Sequence, residues 1–392
     1  MSLSALWHSS PEQLRGKQVK QIIAFAGGGR LGDGSVASRE FREYLALVPS
    51  EVLASYADEC LAEKKFSESG FALQDVVNQL GRRLGFDVED GRYRGSVSSL
   101  GYDGLWKSPT GHHIVVEVKS SATFKIDLDN IAGFRRGLMR EGRVLEENSS
   151  ILIIVGSEDT RELEAQIRGS RHAWDIRLIS VEGLKRLVHL KEDIDDPATV
   201  RKIGDILIPY EYTRVDRIID IVFSTAEEVL QEEETEEGAP SEQVATAVTD
   251  GRQPVRFNAA LAERVGQYLG HPLVKRSRTL FSSPDQGVGL ISIVSKEHST
   301  PAGQYYWYGF HEYHRKTLEP YTSAYVAFGC GSPDRLLLVP REDLEQWLDG
   351  MNSTQKADDF YRHVQIFREG ERLVMHRRKG EARIDVTKYL LK

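Results

Sequence analysis

The segment GYDGLWKSPTGHHIVVEVKSS, residues 101–121, decides the fold of the first half of the chain. Its apolar run IVVEV is typical of a strand that is buried on both faces, yet the run contains Glu117 and ends next to Lys119. Asp103 stands shortly before it. A carboxylate or an ammonium in a buried strand is destabilising unless it is paired or binds something. The placement of these three charges therefore indicates a functional site.

The Ser-Pro-Thr-Gly turn between the two halves of this segment predicts a pair of adjacent strands, so that Asp103 and Glu117 lie side by side. Because side chains alternate between the faces of a strand, Lys119 shares the face of Glu117, and Val118 points into the core. The two carboxylates, helped by the backbone carbonyl of Val118, suit Mg²⁺ or Mn²⁺. Lys119 would orient or deprotonate an attacking water, or stabilise a phosphorane.

The periodicity around this segment places it in a larger domain. From residue 70 the pattern predicts a helix, three strands, a helix, a strand, a helix, a strand and a last helix. This order indicates an α/β domain at 70–230, built on a mixed sheet that is flanked by helices. Residues 1–69 read as a helical N-terminal extension.

Asp103, followed on the next strand by Glu117-Val118-Lys119, resembles the signature of the PD-(D/E)XK nuclease superfamily. The chain looks most like its Mrr-like restriction endonucleases, over about residues 70–190. The resemblance implies a restriction-endonuclease-like fold and the Mg²⁺-dependent hydrolysis of DNA.

The resemblance also implies a role at the site for Gln74 on the core helix. Many members carry Glu or Gln about eleven residues before the Gly-aromatic pair that closes this helix, and Gln74 stands in that position before Gly85 and Phe86. The chain departs from the family pattern at Tyr102, where the signature has proline.

Basic residues flank the predicted site and are candidates for contacts with DNA phosphates. Each of them is equally well explained as a solvated surface charge. They are Arg92 and Arg94 before the acidic pair, and Lys125, Arg135 and Arg136 after it.

The charge distribution separates two domains. The formal net charge is −8, but nine acidic residues lie between positions 227 and 250 without a Lys or Arg, and the rest of the chain would carry +1. The composition of QEEETEEGAPSEQVATAVTDGRQP predicts a solvated acidic linker at 231–254.

The segment before this linker, TRVDRIIDIVFSTAEEVL, predicts an amphipathic helix. This helix either packs on its own domain or forms a contact between two copies in a homodimer.

The rest of the composition limits the protein class. Cys60 and Cys330 are the only cysteines, which excludes a disulfide scaffold or a cysteine-built zinc site and is typical of a reducing compartment. The sequence contains no apolar signal core and no run of apolar residues that could span a bilayer. We therefore expect a cytoplasmic protein without a membrane partner.

The second domain, 255–392, reads as a smaller α/β domain with a mostly antiparallel sheet. Its aromatic run predicts a strand in which either Tyr305 and Trp307 or Tyr306 and Tyr308 point outward. A sheet buried on one face explains half of these rings, and the outward half would stack on a base or bind a partner.

Together these features predict a Mg²⁺-dependent nuclease that hydrolyses phosphodiester bonds. The resemblance implies a DNA endonuclease of the restriction type that acts on foreign or modified DNA, with DNA as a partner and proteins of a defence system as candidate partners. Two alternatives stay open. The first is a junction-resolving or repair nuclease. The second is a nuclease-fold module that binds DNA or a partner subunit without catalysis.

Overall fold

The computed structural model describes residues 2–62, 66–94, 100–121, 126–156, 160–209, 253–300, 303–332, 334–355 and 360–391. The chain divides into two compact units, Met1–Asp193 with Ala198–Phe223 and Ile194–Pro197 with Ser224–Lys392. The amphipathic helix predicted at 213–230 and the acidic linker up to residue 252 lie outside the described residues. None of the helices in the described ranges is both long and apolar enough to cross a membrane.

The first unit begins with helices and continues with alternating strands and helices, in the predicted order. The N-terminal part contains a short 3-10 helix at Pro11–Gln13 and the helices α1 (Leu3–Ser9), α2 (Val19–Phe25), α3 (Val36–Leu47) and α4 (Ser50–Leu61). It is followed by α5 (Ser69–Arg83), β1 (Asp87–Asp90), β2 (Gly104–Lys107), β3 (His113–Lys119), α6 (Leu128–Arg140), β4 (Ser149–Val155), α7 (Arg161–Arg168), β5 (Ile176–Ser180), α8 (Val181–Glu192) and α9 (Pro197–Asp205).

The five strands of this unit form one sheet in the order β1-β2-β3-β4-β5. Strands β1, β2 and β3 pair antiparallel, whereas β3, β4 and β5 pair parallel. The sheet is therefore mixed, as the sequence predicts.

Alternation along β3 sends its apolar side chains into two separate cores. Ile114 and Val116 pack with α5, α8 and the N-terminal helices on one face, and Val118 packs against the same core. Val115 packs with α6 and α7 on the other face. Glu117 and Lys119 fall on the α6 side, and the N-terminal helices share one core with the sheet.

The second unit contains two sheets rather than the one that the sequence predicts. One sheet has the order β12-β11-β8-β7-β6, and the other has the order β16-β15-β14-β10-β9 with β13 also pairing with β14. Its elements are α10 (Gln253–Leu269), β6 (Val274–Lys275), β7 (Leu280–Ser282), β8 (Val288–Ser295), β9 (His298–Thr300), β10 (Gly303–His311), α11 (Glu312–Leu318), β11 (Ser323–Cys330), β12 (Leu336–Pro340), α12 (Arg341–Leu348), β13 (Asn352–Gln355), β14 (Phe360–Glu369), β15 (Arg372–His376), β16 (Ile384–Asp385) and a 3-10 helix at Thr387–Tyr389.

The pairing in these sheets is antiparallel except between β8 and β11, which run parallel. The predicted aromatic strand ends at His311 rather than at Tyr313, because helix α11 starts at Glu312. His311 precedes the first residue of α11, so its backbone N–H has no acceptor within that helix. This N–H donates instead to Nδ1 of His314, one helical turn later, at 3.2 Å.

Candidate active site

The hairpin of β2 and β3 brings the three predicted charges together. Gly104 pairs with Val116 in the antiparallel register, and Asp103, just before Gly104, lies close enough to Glu117 and Lys119 for their charges to act on its carboxyl group. The Lys119 ammonium Nζ lies 2.5 Å from Oε1 of Glu117. The two acids and the lysine therefore occupy one face of the sheet, at the carboxyl end of β3.

Asp103 is fixed to the neighbouring strand by its side chain as well as by its main chain. Its backbone N–H donates to the carbonyl of Val116 at 3.0 Å, and its Oδ2 accepts the backbone N–H of Val118 at 2.7 Å. The main chain of Val118 thus lies beside the carboxylate of Asp103. A carboxylate held by a fixed amide keeps one orientation, which a binding site requires.

The electrostatic environment disfavours ionisation of both acids. Burial, followed by the negative charge of Glu117, raises the pKa of Asp103 to about 7. Burial also raises the pKa of Glu117, although the charge of Lys119 acts in the opposite direction. Two neighbouring carboxylates that are costly to ionise form a site complementary to a cation. Strongly shifted carboxyl pKa values concentrate at functional sites.

One carboxylate oxygen of Glu117 makes no hydrogen bond within the described structure. The residue is 7% exposed, Oε1 accepts from Lys119, and Oε2 is buried without a hydrogen-bond partner among the described residues. A buried acceptor without a partner is destabilising by about 1–3 kcal/mol. This oxygen is therefore available to a ligand.

The donor set of this site fits magnesium better than zinc. In the part of the chain that the structure describes, no group of three or more His, Cys, Asp and Glu side chains surrounds a common metal position. Zinc sites are usually built from at least three such ligands. Mg²⁺ commonly takes one or two carboxylates and keeps several waters, so Asp103, Glu117 and the carbonyl of Val118 are sufficient candidates.

Helix α5 holds the main chain of Asp103 from the other side of the sheet. The carbonyl oxygen of Asp103 accepts three N–H groups, from the backbone of Gly91 at 3.0 Å, from Nε2 of Gln74 at 3.0 Å and from Nδ2 of Asn78 at 2.9 Å. Gln74 therefore acts on the site through the backbone of Asp103. Sequence reasoning missed Asn78, although its position four residues after Gln74 places both amides on one helix face.

One predicted DNA-binding residue is part of the core. Arg135 is 7% exposed, and its guanidinium donates to Oγ of Ser149 at 2.9 Å and to the carbonyl of Glu146 at 2.7 Å. Its Nη1 lies 3.1 Å from Oδ1 of Asp175. Arg135 thus ties α6 to the start of β4, and the structure does not present it to a phosphate.

The other predicted basic residues are at the surface where they are described. Arg92, Arg94 and Arg136 are exposed. The guanidinium of Arg94 lies 5.8 Å from the ring centroid of Phe71, which restricts its orientation. Lys125 lies outside the described residues.

The aromatic residues predicted for recognition separate onto two faces of β10. Tyr306 and Tyr308 are 1% and 2% exposed in the core, so that pair is the inward one. Tyr305 lies on the opposite face but is only 4% exposed, and its ring is stacked on Phe367 with centroids 5.0 Å apart. Trp307 shares that face and is partly exposed. Of the four candidates, Trp307 is the one that solvent reaches appreciably.

The chain was compared with protein-family models and with curated protein sequences. Neither comparison finds a match. The chemistry of the site therefore has to follow from the residues that form it.

Proposed function

We propose that the chain is a metal-dependent DNA endonuclease of the restriction type, with a restriction-endonuclease-like first unit. The observation that carries this proposal is the combination of Asp103, Glu117 and Lys119 on one face, where Oε2 of Glu117 is buried without a partner among the described residues. Two acids and one lysine at a strand end can supply what metal-dependent hydrolysis of a phosphodiester uses: ligands for a cation and a group that orients or deprotonates the attacking water.

Each residue then has a separate role. Asp103 and Glu117 would hold Mg²⁺ or Mn²⁺ through their carboxylates, together with the carbonyl of Val118. When bound, the ion would activate water and neutralise charge on the phosphodiester. Lys119 is 41% exposed along its side chain, so its ammonium can turn from Glu117 toward a phosphate or a water. Gln74 keeps the main chain of Asp103 in place.

A purely structural ion pair accounts for less of the site. Lys119 needs one carboxylate, and Glu117 supplies it through Oε1. That pair leaves Asp103, whose pKa is raised to about 7, and the second oxygen of Glu117 unexplained. A module that only binds DNA is disfavoured for a related reason, because buried carboxylates near the phosphates would repel the nucleic acid.

The acidic pair and Lys119 address only the phosphodiester, which is the same at every step of DNA. Selection of foreign or modified DNA is therefore assigned to other contacts. Arg92, Arg94 and Arg136 are available for phosphates, and the partly exposed Trp307 in the second unit is available for a base or a partner protein.

Cleavage of DNA by the full chain tests the proposal. Plasmid, methylated and branched DNA would be incubated with Mg²⁺ or Mn²⁺, with and without EDTA. We expect EDTA-sensitive cleavage, and a decrease of at least about 10²-fold in Glu117→Ala. Glu162→Ala changes an exposed glutamate on α7 and serves as the matched control.

The outcomes separate the alternatives. Near-normal cleavage by Glu117→Ala would reject the site. A marked preference for branched DNA would favour a junction-resolving or repair nuclease, and DNA binding without cleavage by the unchanged chain would favour a binding module.

A further inference from the structure

Asn78 occupies a closed position between the core of the first unit and the main chain of Asp103. The residue is 0% exposed, yet it is polar. Its Nδ2 donates to the carbonyl of Asp103 at 2.9 Å, and its Oδ1 accepts Nε1–H of Trp106 at 2.9 Å. A single buried amide therefore joins the indole of β2 to the backbone of the first candidate metal ligand.

The orientation of this amide is determined by its partners. An indole N–H can only donate, so it must face the oxygen of Asn78. A backbone carbonyl can only accept, so the amino group must face Asp103. The reversed amide would place like groups together at both contacts, so the Asp103 carbonyl and the Trp106 indole each favour the same orientation of Asn78.

Two glycines make room for the arrangement. A Cβ on Gly104 would lie 2.3 Å from Oδ1 of Asn78, and a Cβ on Gly81 would lie 2.6 Å from the ring of Trp106. Both distances are well below any real contact. Gly104, which follows Asp103 in the sequence YDGLW, is therefore needed because any side chain at this position would collide with the Asn78 amide.

We propose that Asn78 is a positioning residue for Asp103. Asn78 fixes the peptide group between Asp103 and Gly104. The Asp103 side chain then keeps the hydrogen bond from the Val118 N–H to its Oδ2 and faces Glu117. An apolar residue of the same size would leave Nε1–H of Trp106 without an acceptor and would remove a donor from the Asp103 carbonyl, so the buried amide serves hydrogen bonding as well as packing. The assignment of Asp103 to catalysis rests on the proposed function.

The test uses a double variant that removes both partners of the buried hydrogen bond. In Asn78→Leu with Trp106→Phe neither side chain leaves an unpaired polar group, and the space lost at position 106 is common to the double variant and to its control. Only the donor to Asp103 is then lost. Trp106→Phe alone is the matched control, because Asn78 keeps its amino group on the Asp103 carbonyl.

The first readout is amide hydrogen exchange in the protein without added divalent ions. We expect the Val118 amide of the double variant to exchange at least about 10-fold faster than in the control, while Ile114 in the same strand keeps its protection. Unchanged exchange at Val118 would overturn the inference. Equal acceleration at Val118 and Ile114 would also overturn it, because it would show general loosening of the strand.

The second readout is the kinetics of the magnesium-loaded enzyme. Loss of an outer partner of a metal ligand typically lowers metal affinity or activity by about 10–100-fold. We expect the double variant to lower kcat and to leave KM for DNA within about 2-fold, as for an interaction outside the substrate surface. A changed KM with a normal kcat would contradict positioning. If the unchanged chain cuts no DNA, the proposed function fails and the exchange experiment still decides this inference.

Discussion

The ammonium of Lys119 lies 2.5 Å from Oε1 of Glu117, two residues before it on the same face of β3. The lysine side chain is 41% exposed and the glutamate side chain 9%. The pair therefore has one solvent-facing member and one buried member. This asymmetry suits a site in which the lysine changes partner while the glutamate stays.

Replacement of Lys119 by methionine should nearly abolish cleavage. The variant keeps the length of the side chain and removes the charge that handles water or the phosphorane, so we expect a decrease of at least about 10²-fold. Plasmid cleavage with Mg²⁺ measures it. Lys107→Met removes an exposed lysine at the end of β2 and should leave the rate unchanged. A loss of less than about 3-fold in Lys119→Met would leave the lysine without a catalytic role.

Glu117→Gln should be inactive and at least as stable as the natural chain. The substitution removes a buried charge whose Oε2 has no partner in the described structure, and Lys119 can turn to solvent. We expect the free energy of unfolding at pH 8 to stay the same or to rise by about 1 kcal/mol, as happens where a site is retained for activity. Urea unfolding without divalent ions measures this. A loss above about 2 kcal/mol would instead favour a structural ion pair.

Arg42→Met should destabilise the protein more at pH 8 than at pH 5. Nε of Arg42 lies 2.8 Å from Oδ1 of the buried Asp75, and burial raises the pKa of Asp75 to about 7 although Arg42 opposes the shift. Because the unfolded carboxyl has a pKa of about 3.9, the folded chain holds an extra proton between these values and loses stability as the pH rises. Without Arg42 the folded pKa is higher still, and this loss becomes larger.

At pH 5 Asp75 is protonated in both folded proteins, so the loss of stability there comes from the other contacts of Arg42, with Asp90 at 3.8 Å and the ring of Tyr93 at 5.0 Å. We expect the difference in unfolding free energy to be larger at pH 8 by about 1–3 kcal/mol. Urea unfolding at the two pH values measures it. Arg186→Met, whose side chain is 76% exposed, should show no such pH dependence. An equal loss at both pH values would show that Arg42 stabilises the protein through contacts other than its ion pair with Asp75.

Arg135 and Arg136 are adjacent and should respond differently to alanine. Arg135→Ala leaves the partners of a buried guanidinium unsatisfied and should lower the free energy of unfolding by about 2 kcal/mol. Arg136→Ala should change stability by less than about 0.5 kcal/mol. If Arg136 contacts a phosphate, its loss should weaken DNA binding and reduce the salt dependence by about one unit of slope. Binding titrations at several salt concentrations measure this, and an unchanged slope would remove Arg136 from the interface.

Trp307→Ala and Tyr306→Ala should separate recognition from folding. Tyr306 is 1% exposed in the core, so its truncation should destabilise the protein by about 3–5 kcal/mol. Trp307 is partly exposed, and its loss should weaken discrimination between target and non-target DNA by about 1–3 kcal/mol while turnover is kept. Competition cleavage measures this discrimination. If Trp307→Ala leaves this discrimination unchanged, Trp307 has no part in the selection of DNA.

The sequence by itself determined the order of elements in the first unit and the three charges of the candidate site. Both depend on local information. Alternation of apolar residues sets which side chains of β3 share a face, and a charge in an otherwise apolar strand is visible without any tertiary contact. The turn before β3 then brings Asp103 beside Glu117, because an antiparallel hairpin fixes its own register.

Only the tertiary structure decided the roles that depend on distant partners. Arg135 and Arg136 are the same residue type in the same helix, and contacts with Ser149, Glu146 and Asp175 make the first of them part of the core. The inward face of β10 follows from the element packed against it, since alternation alone gives two equivalent choices.

The support of Asp103 is also a tertiary property. Asn78 stands twenty-five positions before Asp103 in the sequence, and its amide acquires a direction only when Trp106 and the Asp103 carbonyl close around it. A buried amide has no preferred partner in an unfolded chain, because water satisfies both of its ends equally. Folding removes that water, and the positions of the remaining donors and acceptors then decide what the residue does.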